Sequence, residues 1–557
     1  MTLAASSRAR GALALYAVVT FLSFPHELPG GGSLDLGLAL AWFGPAALIV
    51  GIAGCSPRTA LARAFLASLV SHAFLFHWFY VVTVQYGGLP AWIGFFSPLV
   101  PSLYVSLFTA GFAWLWTRVA SDSAAPILVG ATLWVAVDWA RGAFLGGFPW
   151  ATLGYALHRD WPLLGWTRWG GVYVLSFAVA AVGIALARAW LARSRASLRA
   201  LVVTSFVVVI AHGIGFWISA PEPDGDVVVR IAAVQGNIDQ GEKWDQARRD
   251  RIFERYLRLS REAAEGGAQW IVWPETAVPG LIEAEPEFSA GIAGLAREFG
   301  VAFIVGGTGV EFDPVTRRIT DFFDSAFLFD ATGVLRDRYD KTQLVPFGEF
   351  VPLRDLFGRF FKSLARGLSN TDVTPGAAPR PFVIRRPGAR DEPDGSRRAA
   401  SNEDWLRVGV PICYELIFPD LVRRFAGGGA GVLLAMTNDA WYGRTGAPHQ
   451  FLAMTALRAA ENGRFLVRAA NTGVSAIIDS RGRVRESTPL FEEAVVLADV
   501  PVTTRTGPTL YARVGDVFAG SCVLISVGFL GRREWMARRR TGNRATTDGR
   551  GRQEQET

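Results

Sequence analysis

Arg407 to Asp420 reads RVGVPICYELIFPD. A β-branched run leads to one thiol, Cys413, and Pro419 opens the next segment. A chain of 557 residues with three cysteines keeps one of them at the end of what reads as a strand. Cys413 is either one more small core residue or a nucleophile. Two other strand-end stretches bear on the choice: QWIVWPET at 269–276 and RYDKTQLVPFGEFVP at 338–352.

Around these stretches the texture is that of a layered α/β domain over about 225–505. VVVRIAAVQGN from Val227 reads as a buried strand, and DQARRDRIFERYLRLSREAAEGG as an amphipathic helix. A second helix is expected at 285–299, a strand at VAFIVGGTG, and a hairpin in SAFLFDATGVLRDRYDK turning at Thr332-Gly333. Further strands are expected in AGVLLAMTNDAWYG, RFLVRAANTGVSAIIDSRGRVRE and AVVLADVPV, with a helix near 448–463. Residues 376–404, rich in proline, arginine and aspartate, read as an exposed loop.

The rest of the chain is different. Half of all residues are hydrophobic and the mean hydropathy is +0.26, with the apolar excess lying outside 225–510. A membrane span takes about 20 apolar residues. Runs of that kind fall near 11–28, 35–54, 62–84, 91–116, 125–144, 170–190, 200–219 and 513–531. This gives a seven-span domain over 1–220, an eighth span at 513–531 and a basic, disordered tail over 532–557. The first run has no clean cleavage site and reads as an uncleaved helix.

Arginines orient the spans. Arg8 and Arg10, Arg58 and Arg63, Arg118, the group from Arg188 to Arg199, and Arg532 to Arg540 mark alternate connections, which places them in the cytoplasm. Arg159 and Arg168 run against the pattern. The polar domain is then extracytoplasmic, and the net charge of +7 is a topology signal with no need of nucleic acid. His72, His77, Asp138 and His212 lie in or near spans, where polar residues are functional candidates, although lone histidines at helix ends are more often interfacial.

Three cysteines exclude a disulfide framework and any CxxC metal site, and six histidines argue against a histidine-based zinc centre. A thiol nucleophile needs a base and something to hold the oxyanion it creates. The only histidine of the polar domain is His449, so a carboxylate is the alternative base, with Glu275, Glu349 and Glu415 as candidates. Lys341 follows a strand and could favour the thiolate. The bland reading makes it a surface residue, but lysine is rare here: Lys243, Lys341 and Lys362 stand among 56 basic residues. Arginine cannot replace a compact ammonium at a crowded centre.

WPET, YDKTQLVPFGEFVP and ICYE closely resemble, in order, the Glu-Lys-Cys motifs of the nitrilase or carbon–nitrogen hydrolase superfamily. Together with QGNIDQGEKWD, TNDAWYG and the eight runs, they resemble its membrane branch, the apolipoprotein N-acyltransferases. The resemblance implies an αββα sandwich on a polytopic helical domain in the bacterial inner membrane, with Glu275 as base, Lys341 as oxyanion and thiolate stabiliser, and Cys413 as nucleophile. It gives Glu349, Glu415 and Tyr414 supporting places and puts Trp244, Asn438 and Trp441 near the lipid-handling cleft. His449 receives no role, because GAPHQF departs from the family pattern. Cys55 and Cys522 read as inert small residues.

The reaction so implied moves a fatty acyl chain from a phospholipid to Cys413, then to the α-amine of a lipoprotein's N-terminal diacylglyceryl-cysteine, with no metal or organic cofactor. A membrane-anchored amidase would share the triad but needs one anchor rather than eight. A non-catalytic lipid carrier would not need the triad, and a transporter would need paired intramembrane charges.

Overall fold

The structure, a computed structural model, describes residues 3–120, 123, 125–218, 227–243, 245–350, 373–389, 404–504 and 506–553. The apolar N-terminal half is a bundle of α1 (Leu3–Leu22), α2 (Phe43–Ile52), α3 (Pro57–Leu75), α4 (Leu99–Leu115), α5 (Pro126–Ala143), α6 (Tyr173–Ala192) and α7 (Arg195–Ile218). Start signals are local: Ser56 accepts a hydrogen bond from the Thr59 N–H and Pro57 takes the first position of α3, a place where its missing N–H costs nothing. Helix α3 packs on α1 and α4, and α6 on α2 and α5.

Among the described residues, four stretches are long and apolar enough to cross a membrane: Ala91–Val119, Pro126–Gly146, Tyr173–Ala192 and Arg195–Ile218. Two expected spans look different. Over 35–54 the chain forms a short turn at Gly37–Leu40 and then the ten-residue α2, which begins around Gly44-Pro45. Over 62–84, α3 gives way to a π-helical turn at Val81–Tyr86.

The polar domain is built on β1 (Val227–Gln235), β2 (Trp270–Val272), β3 (Ala302–Phe312), β4 (Ile319–Phe329), β5 (Leu335–Asp340), β6 (Phe382–Arg385), β7 (Trp405–Gly409), β8 (Val432–Thr437), β9 (Phe465–Ala470), β10 (Ala476–Ile478), β11 (Val484–Ser487) and β12 (Ala494–Val502). One sheet has the order β12-β1-β2-β3-β4-β5 and the other β11-β10-β9-β8-β7-β6. Strands β1, β2 and β3 run parallel, as do β7, β8 and β9, and the flanking pairs are antiparallel.

The sheets face each other through β1 and β9. Continuous apolar runs such as VLLAMT in β8 are buried on both faces, as expected of central parallel strands. Helices α8 (Arg249–Glu265) and α9 (Pro286–Phe299) cover the first sheet; Ile252, Phe253, Tyr256 and Leu259 of α8 bury one stripe against Trp273 and Phe288. Each such side chain contributes about 1.5–3 kcal/mol. Helices α10 (Pro419–Gly427) and α11 (Ala447–Asn462) cover the second sheet, which completes an αββα order.

Helix α11 is buried along nearly its whole length because the helical bundle lies on its far side. Trp150 donates to Gln450 at 2.9 Å, Arg458 to the Tyr155 hydroxyl at 3.2 Å, and the Val172 N–H to Glu461 at 2.8 Å. The final helix α12 (Val517–Gln553) then returns to pack on α5.

Two expectations need correction. The 376–404 stretch is not all loop, because FVIR forms edge strand β6, paired antiparallel with β7; alternation of buried Phe382 and Ile384 with exposed Val383 and Arg385 is the reason. The disordered tail over 532–557 is helical as far as Gln553. RREWMARRR is made of helix formers, and no proline stops the helix that enters it.

Candidate active site

Three strand ends on the two sheets converge. Past β2 the chain turns through Pro274, Glu275 and Thr276, and Thr276 adopts a left-handed φ of +44°. That turn presses on β3 so closely that a Cβ on Gly306 would lie 2.1 Å from the Pro274 carbonyl oxygen. Past β5, the Lys341 N–H donates to the Asp324 carbonyl at 2.9 Å and sends its side chain inward, fully buried. Past β7, Ile412 bridges to Met436 of β8 and a 3-10 turn begins at Cys413, whose φ is +43°. A left-handed non-glycine residue costs on the order of 1–3 kcal/mol and persists only where its surroundings enforce it.

Lys341 is the hub. Its Nζ donates to Glu275 Oε1 at 2.8 Å, Glu349 Oε1 at 2.5 Å and Asp324 Oδ2 at 3.1 Å. Three carboxylates this close would otherwise suit a cation, and the ammonium already fills that place. Burial pulls the Lys341 pKa down, but Glu275, Glu349 and Asp324 more than reverse this and hold it well above the ordinary value.

Burial raises the Cys413 thiol well above its usual pKa, Glu275 adds to the rise, and Lys341 with an Asn438 backbone hydrogen bond opposes it. The resting sulfur is therefore a thiol, and its proton has to leave as the sulfur attacks. Burial likewise raises Asp324, to about 8, and Glu349, with Lys341 opposing in both.

The supporting residues are placed as follows. Glu415 accepts from the Tyr339 hydroxyl at 2.7 Å, from the Thr342 N–H at 2.7 Å and hydroxyl at 2.9 Å, and from the Ile412 N–H at 2.8 Å. It thus ties the strand of the lysine to the turn of the cysteine, without touching either side chain. Glu349 accepts the Val345 N–H at 2.9 Å through its second oxygen. Tyr414 is buried and packs edge-on against Phe418. Asn438 donates to Gln240 at 2.7 Å and accepts from Asn471 at 3.1 Å. Trp441 is half-buried and meets Tyr86 of the helical bundle edge-on, with ring centroids 5.6 Å apart. Trp244 lies outside the described residues.

His449 pairs with Glu27 at 2.5 Å, a contact between α11 and the bundle rather than with the thiol. Cys55, Cys413 and Cys522 are all unpaired. Sequence reasoning passed over two site residues. Asp324 interrupts the apolar run FFDSAFLF, which was a usable signal. Lys243 shares the rarity that drew notice to Lys341.

Residues 230–507 match the carbon–nitrogen hydrolase family model, and residues 16–186 match that of the apolipoprotein N-acyltransferase N-terminal domain. The chain is 37% identical to the apolipoprotein N-acyltransferase of Geobacter metallireducens over 518 residues, 91% of this chain and 92% of that one. This chain belongs to the apolipoprotein N-acyltransferase family. A second such N-acyltransferase, from Azotobacter vinelandii, is 34% identical over 85% of this chain and 87% of its own. Among solved structures, an amidase from Nesterenkonia sp. is 22% identical, with a TM-score of 0.34 over 53% of this chain and 96% of that one. The two matched stretches coincide with the apolar helical bundle and the αββα domain of the fold.

Proposed function

We propose that this chain N-acylates lipoproteins through a thioester on Cys413. The observation that carries the reading is the buried meeting of Glu275, Lys341 and Cys413 next to an apolar helical bundle. Glu275 takes the thiol proton while the sulfur attacks an ester carbonyl of a phospholipid. The oxyanion forms beside the Lys341 ammonium, and backbone N–H groups near Asn438 add to its stabilisation. Collapse expels a lysophospholipid, which recovers the proton from Glu275, and leaves the acyl chain on sulfur. The α-amine of a diacylglyceryl-cysteine then attacks the thioester, loses a proton to Glu275, and the thiol is restored.

Glu349 holds Lys341, Glu415 holds the two turns, and Tyr414, Asn438 and Trp441 line the approach. Eight spans, with 225–505 between the seventh and eighth and facing outward, fit the arginine pattern and keep both lipid substrates within reach. Acyl chains leave lipid at a cost of about 0.8 kcal/mol per CH₂, which is why the site belongs at the bilayer.

Intact-protein mass spectrometry after incubation with phospholipid tests the reading. A fatty-acyl mass increment on the Cys413 peptide, lost in Cys413→Ala and discharged by a diacylated lipopeptide with formation of the N-acyl product, is the expected result. Discharge to free fatty acid at the same rate with or without lipopeptide would favour an amidase-like hydrolase.

A further inference from the structure

The chain holds a second buried lysine at this site, and the mechanism above leaves it idle. Lys243 lies in the segment between β1 and α8 and is 4% exposed. Its Nζ donates to the Glu275 carbonyl oxygen at 3.1 Å and to the Thr276 hydroxyl. Lys341 therefore grips Glu275 by its carboxylate, while Lys243 grips the same residue by its backbone, at the turn where Thr276 is held left-handed.

The segment that carries Lys243 is itself pinned across the sulfur. The Asn237 N–H donates to the Asn471 carbonyl, the Ile238 N–H to the Asn471 side chain, and Asn438 donates to Gln240. Asn438 is also the residue whose backbone faces the thiol. Lys243 thus closes a loop of contacts running from thiol to segment to base.

We propose that Lys243 is a positioning residue: its ammonium fixes the Glu275–Thr276 turn so that the carboxylate stays aimed at Cys413, and loss of that charge lets the turn relax. The inference rests on Glu275 acting as the base. The groups facing Lys243 are Glu275 after β2, Asp324 on β4, Lys341 after β5 and Cys413 after β7. On its own segment, Glu242 pairs instead with Arg248 at the surface. Burial brings the Lys243 pKa down to about 8, with Glu275 and Asp324 opposing, so its charge is lost within an accessible pH range.

The test is the rate of Cys413 acylation by phospholipid in the full-length protein, followed by mass spectrometry from pH 6.5 to 9.5. In wild type the rate falls above about pH 8. K243M is slower by about 10- to 100-fold at pH 7, the scale of a lost charge-assisted hydrogen bond, and its profile no longer falls at alkaline pH. K243Q, which can still donate to both oxygens, recovers part of the rate and also lacks the fall. Asp324 titrates in the same range, so D324N serves as the control and keeps the alkaline fall.

A lysine that merely fills space would give K243M the same alkaline fall as wild type. That result overturns the proposal, as does a wild-type rate that is flat across the range, which needs no variant to fold. Failure of wild type to acylate at all, or acylation surviving in C413A, would sink the thioester reading instead.

Discussion

Lys341 shows how one side chain can decide a site. An ammonium with no exposure, in contact with three carboxylates, leaves no room for a guanidinium fork. Lys341→Arg is expected to lower Cys413 acylation by at least about 100-fold, the scale set by misplacing a reacting group by about 1 Å, with the midpoint of thermal unfolding showing whether the fold survives. Glu415 makes a different prediction, because its role is to accept four hydrogen bonds. Glu415→Gln turns one acceptor into a donor facing an N–H or hydroxyl and is expected to cost about 1–3 kcal/mol of stability, measured by denaturant unfolding in detergent.

Asp324 adds a pH dependence. Its folded pKa, about 8, lies above its ordinary value, so between about pH 4 and 8 the folded state binds the proton that the unfolded state has lost. This group's contribution to stability therefore falls as pH rises towards 8. Asp324→Asn should flatten that part of the profile of thermal midpoint against pH. Glu275, Lys341 and Cys413, which the fold brings together, could be singled out in the sequence because each sits in its own short motif. Lys243 and Asp324 were harder to place. The break that Asp324 makes in FFDSAFLF marks a buried carboxylate, but which groups it meets is set by which strands face each other, and no local pattern records that.

At the level of elements, a strand end performs only if its neighbour lets it. Gly306 of β3 backs the Glu275 turn, and a Cβ there would lie 2.1 Å from the Pro274 oxygen and 2.8 Å from the Glu275 Cα. Gly306→Ala is expected to displace the turn and slow acylation by about 100-fold while the thermal midpoint moves by a few degrees. A collapse of the midpoint would assign Gly306 to folding alone. Most strands and helices could be read from periodicity, the 325–341 hairpin included. The two misread stretches have specific causes: β6 is four residues long, too short for its alternation to stand out within a charged, proline-rich run, and the charged end of α12 looks unstructured by composition although its arginines, Met536 and Ala537 favour a helix and no proline interrupts it.

For the molecule as a whole, α11 decides how the two halves relate. Its Arg458–Glu461 pair, 3.0 Å apart and wholly buried, reaches Tyr155 and the Val172 N–H of the bundle. Removing one member of such a pair costs about 3–5 kcal/mol, so Glu461→Ala should lower the unfolding free energy of the full-length protein by that order. Residues 225–505 expressed alone would uncover Phe451, which packs against Trp150 of the bundle, together with Gln450, Arg458 and Glu461, and are expected to aggregate where the full chain is monodisperse in detergent by size-exclusion chromatography. None of this could be read from the helix itself, whose small and apolar residues fit any core.

That shared wall also bears on heredity. A free-standing hydrolase can change its outer helix at leisure, since water accepts nearly any polar side chain. Here each change on α11 must suit a second domain encoded some 300 residues upstream, from Trp150 to Gln450. Grafting a relative's bundle onto this catalytic half should therefore fail unless α11 travels with the bundle, even where every reacting group is kept.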